Sequence, residues 1–445
     1  MYRRKIESVL TKWKATPNRK PLVIKGVRQC GKTSSVLDFA HKHYKHVVYL
    51  DFHRQESLIS LFDGSLETDY LTLMISAAIP TAHFEPNHTC IIFDEIQICP
   101  RARASLKFFK LDGRYDVICT GSLLGVNGYS GDNSRREGLD GSIPVGFELI
   151  IDMYPMDFEE WLWANNIPEG AISMLKSHLE SETPVPEALH MRMRQLLLQY
   201  IVVGGMPEAV QTFFDTHDMN QVLTIQRGIV EGYKADMVKY AASSDRSRIR
   251  ECFDSIPRQL SRDNKKFTYS LVRKGGRSSE YVSSLQWIED AGIVRRCYNL
   301  KMPELPLGGN AMPDHFKIYM ADTGLFVSML DDGTASDILM GNLYSYKGAI
   351  YENVLADILG KMGRKLYYFQ KTDSLEIDFV IRYKGESIPL ECKAKTGNAK
   401  SLKALLRHPE KYHVYHALKV GDYNVGRSEQ TLTLPFYMAF LLTEL

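Results

Sequence analysis

Lys32, Thr33, Asp94 and Glu95 are the residues of this 445-residue chain whose types and spacing point most directly to chemistry. The run Val23-Ile24-Lys25-Gly26-Val27-Arg28-Gln29-Cys30-Gly31-Lys32-Thr33-Ser34 reads as an apolar strand, the pattern G-x-x-x-x-G-K-T, and a helix start. Such a loop cradles phosphates. Gly26 and Gly31 let the backbone turn tightly, so that the successive N–H groups of Val27, Arg28, Gln29, Cys30 and Ser34 can face a triphosphate at the positive end of a helix. Lys32 would reach the β- and γ-phosphates, and the Thr33 hydroxyl would hold Mg²⁺. Downstream, Thr89-Cys90-Ile91-Ile92-Phe93-Asp94-Glu95 is an apolar run ending in paired carboxylates. We assign Asp94 to the metal and Glu95 to polarising the attacking water as general base. A further apolar run, Tyr115-Asp116-Val117-Ile118-Cys119-Thr120-Gly121-Ser122, ends in hydroxyls, and either Ser122 or Thr120 could sense the γ-phosphate.

A second constellation lies in the C-terminal third. Glu352 falls in the helical run Gly348-Ala349-Ile350-Tyr351-Glu352-Asn353-Val354-Leu355. Asp378 sits in the strand-like Leu375-Glu376-Ile377-Asp378-Phe379-Val380-Ile381, and a turn leads to Ile388-Pro389-Leu390-Glu391-Cys392-Lys393. Glu391 and Lys393 are two apart on that strand, so they share a face while Cys392 takes the other. If the strands pair as a hairpin, Asp378, Glu391 and Lys393 converge at one edge. Asp378 and Glu391 could then bind Mg²⁺ or Mn²⁺ that activates water, with Glu352 contributing and Lys393 orienting that water. An ion pair of Lys393 with either carboxylate, on a sheet edge, is the structural alternative.

These residues need a scaffold. Strands at 23–26, 46–52, 89–95 and 115–122, alternating with helical patterns, predict a parallel sheet covered on both faces, with ligand at the carboxyl ends of the strands. Between the two constellations, residues 243–277 carry ten basic side chains (Arg246, Arg248, Arg250, Arg258, Arg262, Lys265, Lys266, Arg273, Lys274, Arg277) against four acidic ones. Helical patterns follow one another there. The last, over 278–291, puts Tyr281, Leu285 and Ile288 on one face and Ser279, Ser283 and Gln286 elsewhere. Gly292 stops it, and Ile293-Val294 with Cys297-Tyr298-Asn299-Leu300 reads as a strand. Helices followed by a hairpin describe a winged helix-turn-helix. Its third helix would enter a DNA major groove while basic groups contact phosphates, although the same module also serves as a spacer or protein-binding unit.

Composition sets outer bounds. The chain is 44% hydrophobic and 24% charged, ordinary for a globular protein, and its net charge of +2 gives no global case for nucleic acid or membrane. Seven cysteines stand singly, without a CxxC pair or Cys/His cluster, which argues against structural zinc and a disulfide framework. Neither an apolar signal core at the N-terminus nor a membrane-length apolar run is present. The expectation is a soluble, cytoplasmic protein with no membrane partner.

The segments Gly26 to Thr33, Phe93-Asp94-Glu95-Ile96-Gln97, Thr120-Gly121-Ser122, Tyr154-Pro155-Met156-Asp157-Phe158-Glu159-Glu160-Trp161 and Gly204-Gly205-Met206-Pro207-Glu208 resemble the bacterial and archaeal AAA-like ATPases of the AAA_14 type with a C-terminal DUF4143 region. The ordered set Glu352, Asp378, Glu391, Lys393 resembles the PD-(D/E)xK nuclease superfamily. Phe316-Lys317-Ile318-Tyr319-Met320-Ala321-Asp322-Thr323-Gly324-Leu325 and the tail Leu434-Pro435-Phe436-Tyr437 match the family too. The resemblance implies an α/β protein in four parts: an additional-strand P-loop core (1–165), a helical lid (166–240), a winged helix-turn-helix (241–320) and a restriction-endonuclease-like domain (321–445). It also implies that Gly204-Gly205-Met206-Pro207 lies near the nucleotide. Expected ligands are ATP or ADP with Mg²⁺; DNA and further copies of the chain are expected partners. The expected function is ATP hydrolysis coupled to a DNA-binding or nuclease-like domain; the alternative is a non-cleaving regulatory switch. Arg135 and Arg136, in a glycine-rich loop, are candidates for an arginine supplied in trans.

Overall fold

A computed structural model describes residues 2–123, 144–241, 245–262, 265–342, 346–372, 374–393 and 399–443. Arg135 and Arg136 lie outside the described residues. Two compact units divide the chain: Met1–Pro155 with Ala235–Arg246 and Asp290–Gly292, and Met156–Lys234 with Ser247–Glu289 and Ile293–Leu445. No helix among the described residues is long and apolar enough to cross a membrane.

The first unit is built on strands β1 (Leu22–Gly26), β2 (His46–Asp51), β3 (Thr89–Asp94), β4 (Asp116–Ser122) and β5 (Leu149–Asp152). All pair in parallel, in the order β2-β3-β4-β1-β5. Side chains alternate across a strand, so β3 feeds two cores. Cys90 and Ile92 face one core with Leu22, Ile24, Val36 and Phe39; Ile91 and Phe93 face the other with Val23, Leu50, Phe52, Leu106 and Phe109. Helices α1 (Lys5–Ala15) and α2 (Lys32–His43) cover the first face, and α3 (Thr68–Ala78) and α4 (Pro100–Asp112) the second. Burial on both faces is why the strands read as continuous apolar runs rather than alternating ones. The covered parallel sheet is as expected. Its order inserts β4 between the strand leading into the phosphate loop and the strand ending in Asp94.

The second unit holds two sheets. One has the order β7-β6-β8-β9, from β6 (Val294–Leu300), β7 (Ala311–Met320), β8 (Leu366–Thr372) and β9 (Leu375–Ile377). The other has the order β10-β11-β12-β14-β13, from β10 (Phe379–Tyr383), β11 (Glu386–Lys393), β12 (Ala417–Gly421), β13 (Gly426–Ser428) and β14 (Thr431–Pro435). The single strand expected over 375–381 is therefore two. The chain changes sheets at Asp378, the residue between β9 and β10. Its half-buried carboxylate accepts the Cys392 N–H at 2.8 Å, a bond to a side chain at the point where the strand breaks.

Helices Arg246–Asp254, Ile256–Leu260, Tyr269–Val272 and Ser278–Asp290 precede the β6–β7 pair. Tyr281, Leu285 and Ile288 are buried, and Ser279, Ser283 and Gln286 are exposed. Gly292, at φ 73°, ends the last helix in the left-handed region that glycine tolerates. The expected hairpin is present, but its inner strand β6 also pairs in parallel with β8, so the hairpin is one side of a four-stranded sheet rather than a free wing.

Candidate functional site

In the first unit the loop after β1 is shaped by two left-handed residues, Gln29 (φ 62°) and Gly31 (φ 93°), the second being the N-cap of α2. Gly26 has a different constraint. A Cβ there would stand 2.2 Å from the Met153 carbonyl oxygen, so only glycine lets the chain after β5 close against the loop. Lys32 is buried, and its Nζ donates to the carbonyls of Gly26 (3.1 Å) and Val27 (2.9 Å), which holds the ammonium over the loop. Ser122 lies beside Gly26 in the β1–β4 register.

Asp94, at the end of β3, is the centre of a hydroxyl ring. Thr33 Oγ1 donates to both its oxygens, at 2.9 and 3.1 Å, and Tyr49 OH donates to Oδ2 at 2.7 Å. Thr120 Oγ1 donates to Oδ1 from β4, as the strand order permits. Of the two hydroxyls considered for this strand, Thr120 therefore meets the carboxylate. Burial, followed by the Asp94 and Asp51 carboxylates, pushes the Tyr49 phenol well above its ordinary range, so it remains a proton donor. Glu95 lies one residue past the strand in the left-handed region (φ 54°), which turns its side chain out of the strand's alternation; the Gln97 amide donates to it. Among the described residues, the side chains bonded to Asp94 all offer oxygen, which fits Mg²⁺, with Thr33 and Asp94 as the residues that would hold it.

Two braces were not legible in the sequence. Arg4, only 8% exposed, donates to the Cys30 carbonyl (3.0 Å) and the Tyr154 carbonyl (2.7 Å), tying the phosphate loop to the segment after β5. Arg28, within the loop, pairs with Asp236 on the helix Met219–Tyr240.

In the second unit the β10–β11 hairpin forms as expected, with Phe379 opposite Leu390. Lys393 Nζ lies 2.5 Å from Glu391 Oε1, and Glu391 Oε2 is buried with no hydrogen-bond partner. Glu352, on the helix Lys347–Lys361, is approached by three groups that sequence reasoning did not place. Lys265 Nζ donates at 2.8 Å, Tyr319 OH donates at 3.0 Å, and Lys317 Nζ stands 3.8 Å away while pairing with Glu376 at 2.6 Å. Lys265 was grouped with the basic run; its ammonium turns inward instead. Burial opposes ionisation of Glu352, but Lys317 and Lys265 hold its carboxyl below the usual range. Burial, then the Glu352 and Glu391 carboxylates, push Asp378 well above it. Burial also raises Glu391, against the pull of Lys393. Among the described residues no three of His, Cys, Asp or Glu come together as a ready metal cage.

Gly204 and Gly205 also lie in the second unit, against Asp322 and Gly324. The Gly205 N–H donates to Asp322 Oδ2 at 2.8 Å, and a Cβ on Gly205 would meet the Met156 carbonyl oxygen at 2.0 Å. Lys361 Nζ bonds Asp322 (3.2 Å), Asp357 (3.1 Å), Tyr200 OH (3.0 Å) and the Met156 carbonyl (3.1 Å) in the same buried cluster. The glycine pair is thus explained by close packing around a buried ammonium.

Comparison with known proteins agrees with the architecture expected from the motifs. Residues 18–162 match the AAA domain family AAA_14, and residues 347–437 match the domain of unknown function DUF4143. Residues 194–336 match a further domain of unknown function, DUF8612. The N-terminal part is an AAA-type ATPase domain. No curated protein matches the sequence. Among solved structures, the Walker-type ATPase PABY2304 of Pyrococcus abyssi is similar with a TM-score of 0.42 and 16% identity, over 74% of this chain and 96% of that one. AMPPCP-bound DnaA from Aquifex aeolicus is similar with a TM-score of 0.28 and 11% identity, over 64% and 87%.

Proposed function

We propose that the chain is an Mg²⁺-dependent ATPase whose nucleotide state governs how its middle and C-terminal parts are presented. The observation that carries this reading is the ring of Thr33, Thr120 and Tyr49 around Asp94 at the mouth of the phosphate loop. Lys32 binds the β- and γ-phosphates, and the loop N–H groups neutralise the remaining charge. Glu95, oriented by Gln97, takes the proton of the attacking water. Thr33 and Asp94 would hold Mg²⁺, which would supply positive charge to offset that of the phosphates. A switch of this kind requires that nucleotide bind one arrangement better than the other. Calorimetry tests the assignment: wild type should take up ATP, and Lys32→Ala, with an unchanged circular dichroism spectrum, should not. Normal hydrolysis by Lys32→Ala would remove it.

For the C-terminal part we infer a nuclease-like fold around Glu352, Asp378, Glu391 and Lys393, with DNA as the partner of the basic middle segment. Its exposed Arg248, Arg250, Arg258, Arg262, Arg273, Lys274 and Arg277 support phosphate contact. The engagement of Glu352 by two lysines favours the second reading, a switch that binds nucleic acid or protein without cutting. Incubating DNA with Mg²⁺ or Mn²⁺, with and without ATP, beside Lys393→Ala separates them. Metal-dependent cutting lost in the variant supports the nuclease; no cutting with the ATPase intact supports the regulator.

A further inference from the structure

Val27 and Arg28, successive residues of the phosphate loop, are each met by a different segment from the middle of the chain. The helix Met219–Tyr240 starts in the second unit, but from Ala235 onward its residues belong to the first. There Asp236, 7% exposed, pairs with the Arg28 guanidinium, and Arg28 is the partner found for it among the described residues. The turn Asp290–Gly292 also belongs to the first unit. A Cβ on Gly292 would stand 2.8 Å from Val27 Cγ1 and clash with Leu123, so the turn closes on the loop because residue 292 has no side chain. Between these two contacts, along the chain, runs Ser247–Glu289 with most of the basic side chains of the middle segment.

The chemistry of Arg28 fits a second partner. Its planar fork of N–H donors matches a carboxylate and a phosphate alike. It also stands where the phosphates are expected. The Lys32 ammonium, which would reach the β- and γ-phosphates, lies 2.9 Å from the Val27 carbonyl oxygen, on the peptide that leads into Arg28. Arg28 keeps 38% of its side chain exposed against 11% for Asp236, so the arginine is the member of the pair with room to turn. Turning has a consequence, because a nearly buried carboxylate is costly to leave without its cation. Asp236 would have to move toward water, and the helix end that carries it would leave the loop. The contact at Gly292 is apolar and offers nothing that a phosphate could take.

We propose that Asp236 and a bound triphosphate compete for the Arg28 guanidinium, so that ATP releases the end of the helix Met219–Tyr240 from the phosphate loop. This rests on reading the loop as an ATP site. Asp236 is then an internal brake on nucleotide binding, and the helix end reports occupancy to the basic segment that follows it. Linkage makes the effect reciprocal: whatever draws Asp236 off Arg28 raises the affinity for ATP.

Calorimetric titration of the full chain with a non-hydrolysable ATP analogue and Mg²⁺ tests the brake. Asp236→Asn keeps the shape and removes the charge, and should bind the analogue about tenfold tighter than wild type. Arg28→Gln should bind it about tenfold weaker, and adding Asp236→Asn to that variant should change affinity by less than about twofold. Hydrogen exchange of the wild-type chain avoids any dependence on a variant's folding. With the analogue bound, backbone amides of residues 235–240 should exchange several-fold faster while those of 290–292 do not, and AMP should leave both unchanged. Equal affinity of wild type and Asp236→Asn, a gain that survives in Arg28→Gln, or unchanged exchange at saturating analogue overturns the competition and leaves the ATP site standing. Absence of binding by every protein, wild type included, overturns both.

Discussion

The Thr33 hydroxyl donates to both carboxylate oxygens of Asp94, at 2.9 and 3.1 Å, across 61 residues of chain. Neither residue can hold Mg²⁺ usefully without the other being in place, because the ion needs several oxygens in one small sphere. Asp94→Asn and Thr33→Val should therefore lower ATP hydrolysis by ~10²-fold or more, since metal stabilisation of phosphoryl transfer is worth several kcal/mol. Steady-state hydrolysis across a Mg²⁺ series checks this. A variant that keeps wild-type rates at every Mg²⁺ concentration would refute the assignment.

Glu95 should separate binding from chemistry. Its side chain leaves the strand alternation through a left-handed backbone and is steadied by Gln97. Glu95→Gln keeps shape and loses the base, so nucleotide affinity should stay within a few-fold while turnover drops by ~10²- to 10⁴-fold. Equilibrium binding beside single-turnover hydrolysis would show the split.

Arg4 is a structural brace with a functional consequence. Its two charge-assisted hydrogen bonds to Cys30 and Tyr154 carbonyls should each contribute on the order of 1.5–3 kcal/mol. Arg4→Met should lower the melting temperature and also weaken ATP binding, because the Cys30 carbonyl belongs to the phosphate loop. Thermal melts with and without ATP distinguish a stability loss alone from one that also reaches the loop.

Glycines in the second unit should divide by their surroundings. Gly205→Ala forces a Cβ to within 2.0 Å of the Met156 carbonyl oxygen, a backbone atom that cannot swing aside. About 1–3 kcal/mol of destabilisation is expected for such overpacking. Gly228→Ala, on the exposed side of the helix Met219–Tyr240 with nothing within 4 Å of the new Cβ, should instead stabilise by roughly 0.5–1 kcal/mol. Denaturant titration of both variants checks the opposite signs.

Asp357 gives a pH signature. Burial and then Asp322, against Lys361, push its carboxyl up to about 6. The native state then holds a proton that the unfolded chain releases above about pH 4, so stability falls as pH rises through this window. The contribution is complete below about pH 4 and gone above about pH 6, amounting to as much as ~3 kcal/mol. Asp357→Asn should flatten that part of the profile. Unfolding free energies of both proteins at several pH values test it, and parallel slopes would contradict the assignment.

Much of the first site was legible because its determinants are local. The phosphate loop is one continuous turn, and Asp94 and Glu95 end an apolar run whose meaning survives without knowing its neighbours. The second site was legible only in its skeleton. Glu391 and Lys393 share a face by strand geometry alone, but the break at Asp378 required knowing that two sheets meet there.

What the sequence by itself determined is the set of elements: which runs become buried strands, where glycine must turn the chain, and which carboxylates and lysines are available. Only the tertiary structure decided their partners. Strand order put Thr120 and Tyr49 on Asp94, and packing brought Arg4 to Cys30 and Lys265 to Glu352. The reason is physical: backbone geometry is set within a few residues, whereas a buried charge takes whichever opposite charge folding delivers, however distant along the chain.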